Sequence, residues 1–245
     1  MSVETLEFGG GVTSPQPPSL RRLLWRWMKR LAMVAAVVVA LPLVLVPLYA
    51  FVPPVSTLMV YDLVTLKGYK RQWVDLQEIS ERARHSVLVS EDSFHCEHNG
   101  VDWKEFTRAL DEFRTGEGRG RGASTITMQT AKNLFLWHGR SPIRKAIEVP
   151  LALYLDLVLS KKRILEIYLN IVELDTHVYG IEAAAQHYFG HSAAKLGPQR
   201  SALLAVTLPN PRARNPAKPT NGLRRLARTI VARAKVAGPY VQCLQ

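Results

Sequence analysis

Cysteine is nearly absent. Cys96 and Cys243 are the only two in 245 residues, too few for a disulfide framework or a multi-cysteine zinc module. No segment recurs with a period of roughly 20–50 residues, which excludes a repeat solenoid. From Ala183 to Gln245 there is no Asp or Glu, while ten Lys or Arg stand there. Between Arg30 and Asp62 there is no charge of either sign. Apolar residues make up 47% of the chain, too many for a globally disordered protein. The 32 basic and 20 acidic residues leave a formal charge of +12. An excess of that size points to an anionic partner: nucleic acid, acidic lipid headgroups or a phosphate-bearing substrate.

The uncharged stretch narrows the choice. Leu31 to Val52 is 22 residues long, and a bilayer-spanning helix needs about 20 apolar residues. Arg21, Arg22, Arg26, Lys29 and Arg30 precede it, a flank that keeps the N-terminal end cytoplasmic. Trp25 and Trp27 fall at the inner headgroup level, and Tyr49 and Phe51 near the outer one. Pro42 and Pro47 are tolerated in a membrane helix. A cleaved signal peptide fits less well, because the run exceeds an ordinary h-region and Leu48-Tyr49-Ala50 is a poor cleavage site. The expected organisation is a cytoplasmic tail with a basic flank over 1–30, its first twenty residues disordered, then a transmembrane helix over 31–52. A periplasmic domain follows over 53–245, on a single-pass inner-membrane protein. That domain carries 27 basic and 18 acidic residues, net +9, and its location excludes nucleic acid as a partner. Whether Cys96 and Cys243 pair in an oxidising compartment or remain thiols is left open.

The soluble part reads as mainly α. Asp75-Leu-Gln-Glu78 has capping-box form ahead of Ile79, Ala83 and Val87,. Asp102 can cap a helix carrying Trp103, Phe106, Leu110 and Phe113 on one face,. Gly116 to Gly122 reads as a flexible loop. Ser124 or Thr125 opens the next helix, and Pro142 suits the first turn of another running to about Leu159. Residues 161–173 and 179–189 follow as helices, and Leu223, Leu226, Ile230 and Ala234 mark the last. A short hairpin is expected within 55–75. The absence of βαβ alternation argues against a parallel sheet.

Chemistry-bearing residues fall into four clusters. Glu91-Asp92 follows the apolar Val87-Leu88-Val89. A carboxyl there has its pKa raised, which suits proton transfer near neutral pH, although a surface or capping acid is the commoner reading. His95, Cys96 and His98 lack the usual zinc spacing. Ser124 to Asn133 leads small and hydroxylated residues into a helix whose polar face offers Gln129, Lys132 and Asn133, a start that suits an anion. Arg140, Arg144, Lys145 and Glu148 form the third cluster. Arg144 and Glu148 share a helix face at i,i+4, either as a surface ion pair of about 0.5 kcal/mol or as a phosphate clamp with a carboxylate beside it. In the fourth, Leu165, Tyr168, Leu169 and Val172 read as core, and Glu166 as a partner of Lys162 or a support for packing. The basic C-terminal sixty residues suit docking on anionic lipid, at about 1 kcal/mol per residue.

Taken in order, these clusters resemble the peptidoglycan glycosyltransferases of the lysozyme-like family, the polymerising domain of bifunctional penicillin-binding proteins, and most closely its monofunctional members. The resemblance rests on Glu91-Asp92 with His98-x-Gly100, Gly122 to Asn133, Arg144-Lys145-x-x-Glu148, Ile164 to Asn170 and Ala202 to Pro211. It implies a lysozyme-like glycosyltransferase domain behind one transmembrane helix. It also implies lipid II and the growing lipid-linked glycan as substrates, with Glu91 as general base and Glu148 as the second functional carboxylate. Asp92, Ser124, Gln129, Lys132, Arg140, Arg144 and Lys145 would then be substrate-binding. No cofactor is required by it, although Mg2+ or Mn2+ could sit at the diphosphate near Glu148. Protein partners would come from the cell-wall machinery. Two positions depart from the family pattern: His95 replaces an aromatic residue expected on the donor-site wall, and Asp175 replaces a glycine in a turn. A lysozyme-like glycan-cleaving enzyme and an inactive membrane-bound scaffold are the alternative readings. Ser192-Ala-Ala-Lys195 has the form of a penicillin-binding nucleophile motif, but its partner motifs are absent,, so no penicillin adduct is expected.

Overall fold

The computed structural model describes residues 20–116, 124–139 and 141–244. Ten α-helices and three short strands occur among them, so the mainly α expectation holds. The disordered tail and the Gly116–Gly122 loop expected from sequence lie almost wholly outside the described residues.

The chain divides into two compact units after Leu41. The first ends in helix α1 (Leu20–Leu48), which continues across the division. It is one helix long and apolar enough to cross a membrane. Leu31, Val34, Val38 and Val39 point outward, all more than half exposed. The helix stops at Leu48, four residues short of the expected span, and Tyr49 to Val52 turn out of it.

The second unit begins at Pro42. After the end of α1 its next element is helix α2 (Thr57–Val64), where a hairpin is expected from sequence. Ser56 caps it, accepting from the Met59 N–H at 3.2 Å. Met59 is fully buried, and the buried Asp62 carboxylate accepts from the Tyr179 hydroxyl at 2.6 Å and pairs with His177. One capped end with two inward anchors three residues apart, Met59 and Asp62, favours a helix over an alternating strand,. Only β1 (Lys70–Arg71) is extended, and it pairs in parallel with β3 (Val178–Tyr179), itself antiparallel to β2 (Glu173–Asp175). The Asp75 capping box closes a 3-10 turn at Leu76–Glu78. Ser80 then caps α3 (Glu81–Glu91) through the Ala83 N–H.

Helix α4 (Trp103–Thr115) starts at Asp102 as expected. Helices α5 (Ile126–Phe135), α6 (Pro142–Val158) and α7 (Lys161–Ile171) begin at caps Thr125, Ser141 and Ser160. Then come α8 (Ile181–Phe189), α9 (Pro198–Thr207) and α10 (Asn221–Lys235). Helix α5 packs on α6 and α7, while α3 packs on α9 and α10. Leu88, Ile126, Met128, Leu155, Leu165 and Tyr168 are fully buried where these layers meet. Each such side chain contributes roughly 1.5–3 kcal/mol.

Covalent and backbone geometry settle points that the sequence leaves open. Cys96 and Cys243 form a disulfide, and Cys96 is therefore no metal ligand. Asp175 does not occupy left-handed backbone; His177, two residues on, does, at φ 59°. Asp175 pairs with His187 at 3.1 Å. Glu166 pairs with Arg163, not Lys162, and accepts from the Leu76 N–H at 3.0 Å.

Candidate active site

Glu91 is the last residue of α3. Its Oε2 accepts from the Gln129 side-chain amide at 3.1 Å, and its Oε1 from the Ser90 hydroxyl at 3.4 Å. Gln129 sits one turn into α5. Its amide is oriented from behind by Tyr168 of α7, whose hydroxyl donates to Gln129 Oε1 at 3.0 Å. With the oxygen so engaged, the NH2 group faces the carboxylate. Tyr168 was read as core from sequence, and its ring is indeed fully buried; only the hydroxyl tip belongs to the site. Burial pushes the Glu91 pKa up, and the hydrogen bonds from Gln129 and Ser90, with the charges of Lys132 and Arg214, oppose that only in part.

Glu91 lines two adjoining cavities. The larger, about 680 Å³, is walled by Ser124, Gln129, Asn210, Arg214, Leu226 and Arg233 among others. The smaller, about 340 Å³, is walled by Phe94, Asp102, Glu105 and Thr125. Ser90, Glu91, Ser124 and Arg233 line both. These volumes fall in the range of ligand pockets.

Ser124 links the carboxylate side to the cationic cluster. Its hydroxyl accepts from Lys145 Nζ at 2.7 Å, and the same ammonium reaches Glu148 Oε2 at 3.1 Å. Arg144 pairs with the other oxygen, Glu148 Oε1. The expected i,i+4 ion pair is therefore present, but on a buried carboxylate, 2% exposed. Lys132 joins the group electrostatically. Burial lowers its pKa, with Glu148 and Glu91 opposing and Arg144 and Lys145 reinforcing. Arg140 lies outside the described residues. Glu148 has both oxygens engaged by cations, so this arrangement does not fit a divalent metal.

Asp92 faces inward. Its carboxylate accepts from the Ile126 N–H at 2.9 Å and meets His98 Nε2 at 3.0 Å and His95 Nδ1 at 3.4 Å. Burial opposes its ionisation, but the bonds and charges of the two imidazoles prevail and hold the carboxyl far below the usual range. His95 is fully buried, with Nε2 against the Lys161 carbonyl at 3.3 Å. It lines neither cavity; Phe94 lines the smaller one instead. Asp92 thus ties the end of α3 to the start of α5. Gly100 fixes the other end of this loop. Its φ is +82°, and a Cβ there would lie 2.6 Å from the Ala152 carbonyl. Thr125 Oγ1 donates to the Gly100 carbonyl at 2.6 Å.

Besides Tyr168, sequence reading missed Arg214 and Arg233 as site residues. Both lie in the acid-free C-terminal stretch, whose uniform charge suggested only a lipid-facing surface. The Ser192 hydroxyl caps Ala194 and donates to Glu182. Among the described residues Lys195 makes no hydrogen bond to it.

Residues 59–235 match the family model described as Transglycosylase. The chain is 54% identical over 224 residues to the biosynthetic peptidoglycan transglycosylase of Brucella suis biovar 1, covering 89% of this chain and all of that protein. It is equally identical over 228 residues to the protein of that name from Mesorhizobium japonicum, with 92% and 96% covered. A third, from Agrobacterium fabrum, is 54% identical over 218 residues, with 88% and 96% covered. The chain belongs to the transglycosylase family.

Proposed function

We propose that this protein polymerises peptidoglycan glycan strands from lipid II at the outer face of the inner membrane. The single observation that carries the reading is that one half-buried carboxylate, Glu91, stands where two cavities meet, with Ser124 bridging to a lysine–arginine–glutamate cluster 2.7 Å away. Two cavities suit two sugar-bearing substrates, and the cations suit a diphosphate.

In this mechanism Glu91 takes the proton from the 4-hydroxyl of the acceptor lipid II. The freed oxygen attacks the anomeric carbon of the growing chain with inversion, and the bond to the diphosphate breaks. A positioned base contributes roughly 10²–10⁴-fold to such a step. The departing undecaprenyl diphosphate gathers negative charge, which Lys132, Arg140, Arg144 and Lys145 stabilise. Glu148 orients Arg144 and Lys145, Gln129 and Ser124 bind sugar, and Asp92, expected from the resemblance to bind substrate, instead holds the start of α5 and so positions Gln129 against Glu91. No covalent enzyme intermediate is needed. The apolar helix retains the domain beside a substrate that cannot leave the bilayer, and the exposed Arg224, Arg225 and Arg228 of α10 meet anionic headgroups,. Cell-wall proteins remain the natural partners.

The test is incubation of the full chain with labelled lipid II. Long glycan is expected from wild type, and Glu91→Gln should slow its formation at least 100-fold. Digestion of purified sacculi, or equal rates for both proteins, would overturn the reading.

A further inference from the structure

The last turn of α10 and the segment after it are tied to the loop following Glu91 at three points. Arg233 donates to the Ser93 hydroxyl at 2.7 Å. The Phe94 and Tyr240 rings meet edge to face, their centroids 6.2 Å apart. Cys96 is bonded to Cys243 across 147 positions. The segment is seated, not draped: Ala237 and Val241 are 1% and 4% exposed.

We propose that residues 233–244 are a strap that positions Glu91 through the 93–99 loop, with the Cys96–Cys243 bond as its lock, so that full activity requires this pair to be oxidised. The inference rests on the polymerase reading and adds a condition to it. The route is short. Cys96 adjoins His95, and His95 and His98 both hold Asp92. Asp92 holds the first N–H of α5, and α5 carries Gln129, which holds Glu91. A loop released at Cys96 loses its constraint on His95, and the end of α3 is then free to shift against α5. Displacements of about 1 Å in a reacting group cost on the order of 100-fold in rate.

Closure removes two protons and two electrons from the two thiols. One thiolate attacks the disulfide of a protein dithiol oxidant, the other resolves the mixed disulfide, and the oxidant leaves as a dithiol. Such oxidants act in oxidising compartments and not in the cytosol. The domain therefore stays slack, its lock unformed, until it has crossed the membrane.

The experiment compares the full chain oxidised, reduced with dithiothreitol, and as Cys243→Ser and Cys96→Ser/Cys243→Ser. Polymerisation of labelled lipid II is read at a temperature where circular dichroism shows every form folded. Reduction should lower kcat roughly 10- to 100-fold with KM within about two-fold. The serine variants should match reduced wild type and ignore dithiothreitol, and reoxidation should restore wild type alone. Tyr240→Ala, which keeps the disulfide, should give a smaller loss. Equal kcat in oxidised and reduced protein overturns the proposal, as does a loss that only tracks the unfolded fraction. Amide hydrogen exchange separates this from the functional reading. Reduction should speed exchange at 93–99 and at 126–129 but not in α8, and unchanged exchange at the loop overturns the strap. If exchange responds while oxidised wild type makes no glycan, the strap stands and the polymerase reading fails.

Discussion

Glu91 and Asp92 are neighbours with opposite electrostatic fates, and the difference assigns their work. Glu91 has an amide and a hydroxyl for company, and burial raises its pKa from the ordinary 4.5. Asp92 has two imidazoles and a backbone N–H, and its pKa falls. As the proposed base, Glu91 must be ionised to accept a proton, so the acid limb of the polymerisation rate should lie above pH 4.5, visible in a kcat–pH profile. The same raised pKa means that the folded state disfavours the ionised form. Native stability is then reduced as pH rises from the unfolded value through the folded one, and stays reduced above it. Glu91→Gln should therefore raise Tm at pH 7 by roughly 1–4 °C while abolishing turnover, a pairing read by calorimetry. Asp92 works the other way: its contribution is present above about pH 4 and is lost as pH falls toward its depressed value. Asp92→Asn should cost about 2–4 kcal/mol at pH 7, measured by urea unfolding, because it leaves His95 and His98 without their buried partner. Tyr168→Phe removes one hydroxyl from a fully buried ring. It should lower kcat about ten-fold with little change in Tm, because Gln129 loses the bond that aims its amide.

At the scale of elements, caps were legible and long-range pairing was not. Asp102 and Pro142 announce α4 and α6 because a cap or first-turn proline acts within three residues of itself. The start of α3 was misplaced because Asp75 and Ser80 both have capping chemistry, and only packing of Ile79 and Ala83 decides which opens the long helix. Helix α2 was read as a hairpin since Ser56 and Asp62 acquire meaning only from Met59 in the core and Tyr179 more than a hundred residues away. The disulfide was undecidable for the same reason. Gly100 shows how tightly elements constrain the catalytic loop. It passes over α6 with no room for a methyl group and in left-handed backbone, so two costs add. Gly100→Ala should lose about 2–5 kcal/mol. Thermal unfolding measures the loss; a drop below 1 kcal/mol would mean that the loop can move off α6, which the strap also forbids.

For the whole molecule, the anchor and the domain are distinct compact units whose boundary falls inside α1, not at its end. Pro42 and Val46 are buried in the second unit. The Tyr154 hydroxyl donates to the Leu43 carbonyl at 2.9 Å, and the Arg163 guanidinium donates to the carbonyls of Tyr49 and Val52 at 2.8 and 3.1 Å. The last two turns or so of the apolar helix, Pro42 to Leu48, therefore belong to the fold that carries Glu91,. Sequence could not show this, because residues facing lipid and residues facing a protein core are equally apolar. Two truncations separate the roles. A chain starting at Pro42 should keep its Tm within about 2 °C and turn over lipid II in detergent micelles at the full-length rate. A chain starting at Pro53 loses Val46 and three hydrogen bonds, together worth about 3–5 kcal/mol, and should melt roughly 6–20 °C lower. On vesicles both should be slower than the full chain, since neither retains the span that confines enzyme and substrate to one surface. Equal Tm for the two truncations would place the boundary of the folded domain at Pro53 instead.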